Sequence, residues 1–151
     1  MLSIEELKKI ELLKGIPDEY LDKIKDICEV HEFKENEIIF HEGDDAKRIY
    51  TLLDGEVEIF IQSSVRPERI PLSIIKIPYE TFGWSALVPP HYYTSGAITR
   101  KPTKTASMER EKLMDILEKD PLVGMIVYRK IATVISSRLR NCRAQLLKAI
   151  Y

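Results

Sequence analysis

Ile38-Ile39-Phe40-His41-Glu42-Gly43-Asp44, followed by Ile49-Tyr50-Thr51-Leu52-Leu53-Asp54-Gly55-Glu56-Val57, sets the rhythm of this chain. Short runs of β-branched and aromatic residues are bounded by turn residues, the pattern of short strands in a sandwich or barrel. Gly43 and Gly55 lie where the chain must reverse tightly, and such reversals favour a positive φ. Asp54-Gly55 has the composition of a two-residue hairpin turn. Val57, Ile59 and Ile61 then alternate with Glu56, Glu58 and Phe60, which predicts a strand with one buried face and one mostly wet face.

The same period runs from residue 30 to residue 108. Ser63-Ser64-Val65-Arg66-Pro67-Glu68-Arg69 is polar, carries a proline and reads as an exposed loop, after which Ile70, Leu72 and Ile74 resume the alternation. Residues 82–87 predict one helical turn that cannot continue through Pro89-Pro90. Strands about 94–99 and 104–108 complete the sheet.

Helical spacing flanks this region on both sides. Ser3 and Glu6 have capping-box spacing, and Ile4, Leu7 and Ile10 recur at helical intervals until Gly15 provides a stop. Pro17 suits a first helical position, with Tyr20, Leu21, Ile24 and Ile27 on one face of a second helix. Beyond the strands, Leu113, Ile116 and Leu117 predict a helix that breaks at Asp120-Pro121. A long amphipathic helix follows through Ile126, Ile131, Val134, Ile135, Leu139, Cys142 and Leu146. Helices, then strands, then helices, with no linker or repeat, describe one α+β domain over residues 1–151.

Composition narrows the function. With 44% hydrophobic and 31% charged residues the chain reads as an ordinary globular protein, and its net charge of −1 offers no field for nucleic-acid phosphates or an anionic membrane. Cys28 and Cys142 are far apart, form no CxxC unit and fall in segments that read as helices, so reduced thiols in a cytoplasmic protein are expected. The N-terminus lacks the features of a secretory signal, and no apolar run is long enough to span a bilayer. His31, His41 and His91 are scattered, and on a strand the adjacent His41 and Glu42 would point to opposite faces, so no metal site is expected and a cupin-type metalloprotein is disfavoured. Gly83-Trp84-Ser85-Ala86-Leu87 begins like a nucleophile elbow, but Leu87 replaces the second glycine and no parallel α/β pattern surrounds it, so no catalytic residue is expected.

Taken in order, Phe33, Asn36, Ile39, Gly43-Asp44, Tyr50, Leu52, Gly55 and Val57 resemble the first half of a cyclic-nucleotide-binding domain. Phe82-Gly83 and Ala86-Leu87 resemble the start of that family's phosphate-binding cassette, and Asp120-Pro121 matches the break before its last helix. The resemblance implies an antiparallel β-roll, a jelly-roll-like double-stranded β-helix (residues 30–108), between N-terminal helices (1–29) and C-terminal helices (109–151). Asn36 stands where the family usually has glycine, a mild departure because asparagine tolerates a left-handed backbone.

The resemblance also implies a ligand site. In the family a short helix offers backbone N–H groups to a cyclic phosphate, a glutamate binds the ribose and an arginine neutralises the phosphate. Here Trp84 occupies the glutamate position and Tyr93 falls at or beside that of the arginine. A buried charge-assisted hydrogen bond contributes about 1.5–3 kcal/mol, so its loss weakens cyclic-nucleotide binding by about one to two powers of ten. Phe82, Gly83, Trp84, Ser85, Ala86, Tyr93, Thr94 and Ser95 are the candidate ligand-binding residues. Backbone donors near Trp84, Ser85 and Ala86 would meet an anion, Ser85, Thr94 and Ser95 would add hydroxyls, and Trp84, Tyr92 and Tyr93 would either stack on a planar ligand or fill the vacated space.

The resulting expectation is a non-enzymatic ligand-sensing regulatory module without a cofactor, binding a cyclic nucleotide weakly or another small anionic or aromatic ligand. Its alternative is a protein-interaction module whose pocket has closed. A homodimer through the last helix is expected, with packing of that helix on its own roll as the competing arrangement. Arg129, Lys130, Arg138, Arg140, Arg143 and Lys148 form no single stripe and read as a solvated face. No DNA-reading domain is expected after residue 151.

Overall fold

The computed structural model describes residues 1–151. Eight strands form: β1 (Cys28–Phe33), β2 (Ile38–Phe40), β3 (Arg48–Asp54), β4 (Val57–Gln62), β5 (Arg69–Ile75), β6 (Thr81–Phe82), β7 (Gly96–Thr99) and β8 (Thr103–Glu109). They make two four-stranded antiparallel sheets, ordered β1-β8-β3-β6 and β2-β7-β4-β5. Leu52, Phe82 and Tyr50 from one sheet and Phe40, Val57 and Ile75 from the other belong to one continuous apolar core, so the sheets form the α+β roll expected.

Two sequence expectations fail at β3 and β4. The strands joined by Asp54-Gly55 do not form a hairpin, since β3 lies between β8 and β6 while β4 lies between β7 and β5. The turn is a corner at which the chain passes from one sheet to the other. Gly55 has φ 111°, and a Cβ there would stand 2.4 Å from the Thr103 hydroxyl oxygen, so the corner closes only around a bare backbone. The second failure is Glu58, expected on a wet face but only 3% exposed. Arg69 Nε donates to its carboxylate at 2.9 Å, and Arg100 Nη2 does so at 2.7 Å. A buried charge persists when it is paired in this way.

At the N-terminus, Ser3 and Glu6 close the capping box of α1 (Ile4–Leu7), which then gives way to a 3-10 turn at Glu11–Leu13 rather than running to Gly15. The second helix, α2 (Asp18–Ile27), begins one residue after Pro17. That proline stays extended as the N-cap and accepts from the Tyr20 and Leu21 amides. Cys28 opens β1 instead of ending the helix, because the chain extends directly from Ile27 to pair Cys28 with Met108. His41-Glu42 lie past the end of β2, not on a strand. Asn36 has φ 61°, the left-handed conformation its side chain tolerates.

After β8 come α3 (Arg110–Lys119) and α4 (Pro121–Ile150). Asp120 caps α4 by accepting from the Leu122 and Val123 amides at 3.0 and 3.4 Å, and the Tyr20 hydroxyl donates to the same carboxylate. Val123, Val127 and Ile131 are buried against the molecule, whereas no residue of α4 beyond Ile131 is. No helix is long and apolar enough to cross a membrane.

Candidate functional site: a cavity between the roll and the last helix

The turn that shapes the site begins at Gly83, whose φ of 73° and close approach to Tyr50 and the Arg48 carbonyl exclude a larger residue without movement. It directs the chain from β6 into a single 3-10 turn, Trp84–Leu87. Beyond Pro89-Pro90, Tyr93 returns alongside the Gly43-Asp44 turn: the Gly43 amide donates to the Tyr93 carbonyl at 2.8 Å, and the Tyr93 amide to the Asp44 carbonyl at 3.0 Å. Residues 82–85 and 93–95 are thereby brought to one place.

They line a cavity of about 90 Å³. Of the eight candidates, Phe82, Gly83, Trp84, Ser85, Tyr93, Thr94 and Ser95 are on its wall. Ala86 is not. It is fully buried and its amide donates to the Gly83 carbonyl at 3.2 Å, so one of the three amides expected to meet an anion is already used. The remaining wall comes from Phe40 of β2, Ile59 of β4, Leu72 and Ser73 of β5, and Arg138 and Cys142 of α4.

Tyr93 is held at one ring face and at its tip. Its ring stacks on Phe40 at 3.7 Å between centroids and 9° between planes. Its hydroxyl donates to the Arg48 carbonyl at 2.6 Å and accepts from the Arg48 amide at 3.3 Å. Burial, with the neighbouring Tyr50, pushes its ionisation far above the usual tyrosine range, so it is a neutral hydroxyl at any physiological pH. Behind it Tyr50 stacks on Phe82 at 5.3 Å. The position expected for an arginine is therefore occupied by the edge of an aromatic cluster, and Trp84, half-buried, lines the same cavity.

Positive charge reaches the cavity from elsewhere. Arg138, read from the sequence as part of a solvated face, has only 17% of its side chain exposed. Its Nη2 donates to the Thr81 carbonyl at 2.9 Å and stands 3.9 Å from the Glu80 carboxylate. Burial lowers its pKa and raises that of Glu80, the Coulombic attraction between them offsetting this only in part. One turn on, Asn141 Nδ2 donates to the Ser73 hydroxyl at 3.4 Å, a second link between α4 and the roll. The sequence did hold a signal: Ile131, Ile135, Arg138 and Cys142 follow one another at helical intervals, which puts an arginine on an otherwise apolar stripe.

Neither enzyme-like arrangement assembles. The Ser85 hydroxyl has no base beside it, since His91 Nδ1 lies 3.4 Å from the Ser85 carbonyl oxygen instead. No three His, Cys, Asp or Glu side chains converge as a metal would require.

Residues 30–120, more than half of the chain, match the sequence profile of the cyclic nucleotide-binding domain. The chain belongs to that family. Among solved structures it is similar to a protein of Geobacter metallireducens GS-15 described as cyclic nucleotide-binding, with 29% identity and a TM-score of 0.81 over 92% of this chain and 99% of that one. It is similar in fold to a cyclic nucleotide-binding domain from Methylobacillus flagellatus KT, at 17% identity and a TM-score of 0.80, covering 97% and 83% of the two chains. It also shares its fold with the regulatory subunit of a cAMP-independent protein kinase A from Trypanosoma brucei, at 16% identity and a TM-score of 0.76, covering 97% of this chain and 50% of that one. No curated protein matches the chain by sequence.

Proposed function

We propose that this chain is a non-enzymatic, cytoplasmic ligand-sensing module in which a small molecule occupies the cavity between the 82–85 turn and α4, and for which ordinary cyclic nucleotides are weak ligands. The observation that carries this reading is the exchange at the cavity wall: Trp84 and Tyr93 stand where the family's resemblance calls for carboxylate and guanidinium anchors, yet a space lined by hydroxyls and one arginine remains. That the same fold occurs in a kinase regulatory subunit named as cAMP-independent agrees with a roll whose ligand is not fixed by its architecture. Calorimetric titration with cyclic AMP and cyclic GMP tests it. Kd values weaker than about 1 μM are expected for both, and a tighter one for either would overturn the reading.

A second copy of the chain is the partner this reading requires. Tyr128, Ala132, Ile135, Leu139, Cys142 and Leu146 recur at alternating intervals of four and three residues along α4, the seam of a helix pair. Leu139 is 68% and Leu146 59% exposed, whereas Ile135 packs on the core and Cys142 lines the cavity. The roll holds one face of α4 as far as Cys142, and Leu139 and Leu146 are left for the partner.

A closed interaction module is the second reading. It is favoured by one observation, the complete engagement of the Tyr93 hydroxyl and ring by Arg48 and Phe40.

A further inference from the structure

Arg138 is the only charged side chain on the cavity wall, and the rest of that wall is mostly apolar or hydroxylic. Its guanidinium has been drawn largely out of water, and within the protein it meets one carbonyl and a carboxylate at the limit of ion-pair range. A cation desolvated to this degree is stabilised by an anion that shares its environment. The same wall is rich in aromatic side chains: Phe40, Phe82, Trp84 and Tyr93 all line this space. A planar ring against them and an acid group against Arg138 would satisfy both halves of the cavity, with the Ser85, Thr94 and Ser95 hydroxyls beside the acid or the ring substituents.

Size selects further. A cavity of roughly 150 Å³ is known to take one benzene ring, so a cavity of about 90 Å³ takes no more than one ring, whereas a cyclic nucleotide carries a purine, a ribose and a phosphate. We infer that the cavity binds a single-ring aromatic carboxylate whose acid group pairs with Arg138, so that the ligand joins α4 to the roll through a charge the cassette itself lacks. This rests on the reading of the cavity as a ligand site and names its ligand class and anchoring residue.

The sole tryptophan of the chain, Trp84, lines the cavity and reports occupancy by its fluorescence. The test titrates the intact protein with benzoate, with its neutral isostere benzamide, and with cyclic AMP, and repeats the first two on Arg138→Gln. Benzoate is expected to change the Trp84 emission saturably and to bind at least about ten-fold tighter than benzamide, and Arg138→Gln is expected to erase that preference. Benzoate binding no tighter than benzamide in the unaltered protein overturns the inference, as does a preference that survives in Arg138→Gln. Should the glutamine variant fail to fold, the wild-type comparison still decides. A response to cyclic AMP with none to benzoate removes the aromatic acid while leaving the sensing reading standing, and no response to any of the three removes the aromatic acid alone.

Discussion

At Gly55 a positive φ and a neighbour 2.4 Å from where a Cβ would sit act together, whereas Gly43 has φ 87° and open space around it. Gly55→Ala is therefore expected to cost at least about 2 kcal/mol in urea unfolding and Gly43→Ala about 1 kcal/mol. Equal losses would remove the close-packed corner from the account. Tyr93→Phe keeps the stack on Phe40 but leaves the Arg48 carbonyl without its hydroxyl, and thermal or urea unfolding should register about 1–2 kcal/mol. Glu58 sets a pH dependence. Burial pushes its pKa up, but the hydrogen bonds from Arg69 and Arg100 outweigh this and hold it below its ordinary value near 4.5. Because the folded pKa lies below the unfolded one, the stabilisation is complete above the ordinary value and is lost as pH falls through the folded value. Urea midpoints between pH 7 and pH 3 should thus fall more steeply for the wild type than for Glu58→Gln; equal slopes would contradict this. The glycine turns were legible in the sequence because the constraint is local to the residue. Glu58 was not, since one arginine arrives across the 63–68 loop and the other from beyond β7, and an alternating pattern records neither.

Among the elements, α4 shows how far periodicity carries. Its apolar spacing announced a buried face, and the Asp120-Pro121 break announced its start, because caps and prolines act within one turn. The spacing could not say against what the face is buried, and the structure divides it: Val127 and Ile131 inside, Leu139 and Leu146 outside. Replacing the last two with aspartate places charge in the proposed seam and leaves the roll untouched. Sedimentation at micromolar concentration should then move from dimer to monomer while the circular dichroism of the folded roll is kept, and a wild-type chain already monomeric there would end the homodimer proposal. Arg138 on the same helix was misread because charge was counted along the chain without asking which face carried it. Cys28 was assigned to the wrong element for a related reason, the apolar run from α2 continuing into β1 without a turn residue between them. In the strand its thiol is pushed up to about 11, by burial first and by Glu29 second, so alkylation near neutral pH should be slow until the protein unfolds.

For the molecule as a whole, the order of helices, strands and helices was readable, and so were the family and seven of the thirteen residues that line the cavity. Sheet membership was not, because β3 pairs with β8 and β4 with β7 across long stretches of chain, while Asp54-Gly55 looks locally like any hairpin. The cavity itself follows from that pairing, since its wall joins β2, β4, β5, the 82–85 turn and α4. The cavity is an open space with Trp84 and Arg138 both on its wall. An electron-density map of the purified protein tests that most directly. Discrete waters or a small bound molecule between Trp84 and Arg138, hydrogen-bonded to the guanidinium, is the predicted result. A Trp84 or Cys142 side chain filling that space, with Arg138 turned out to solvent, would contradict it.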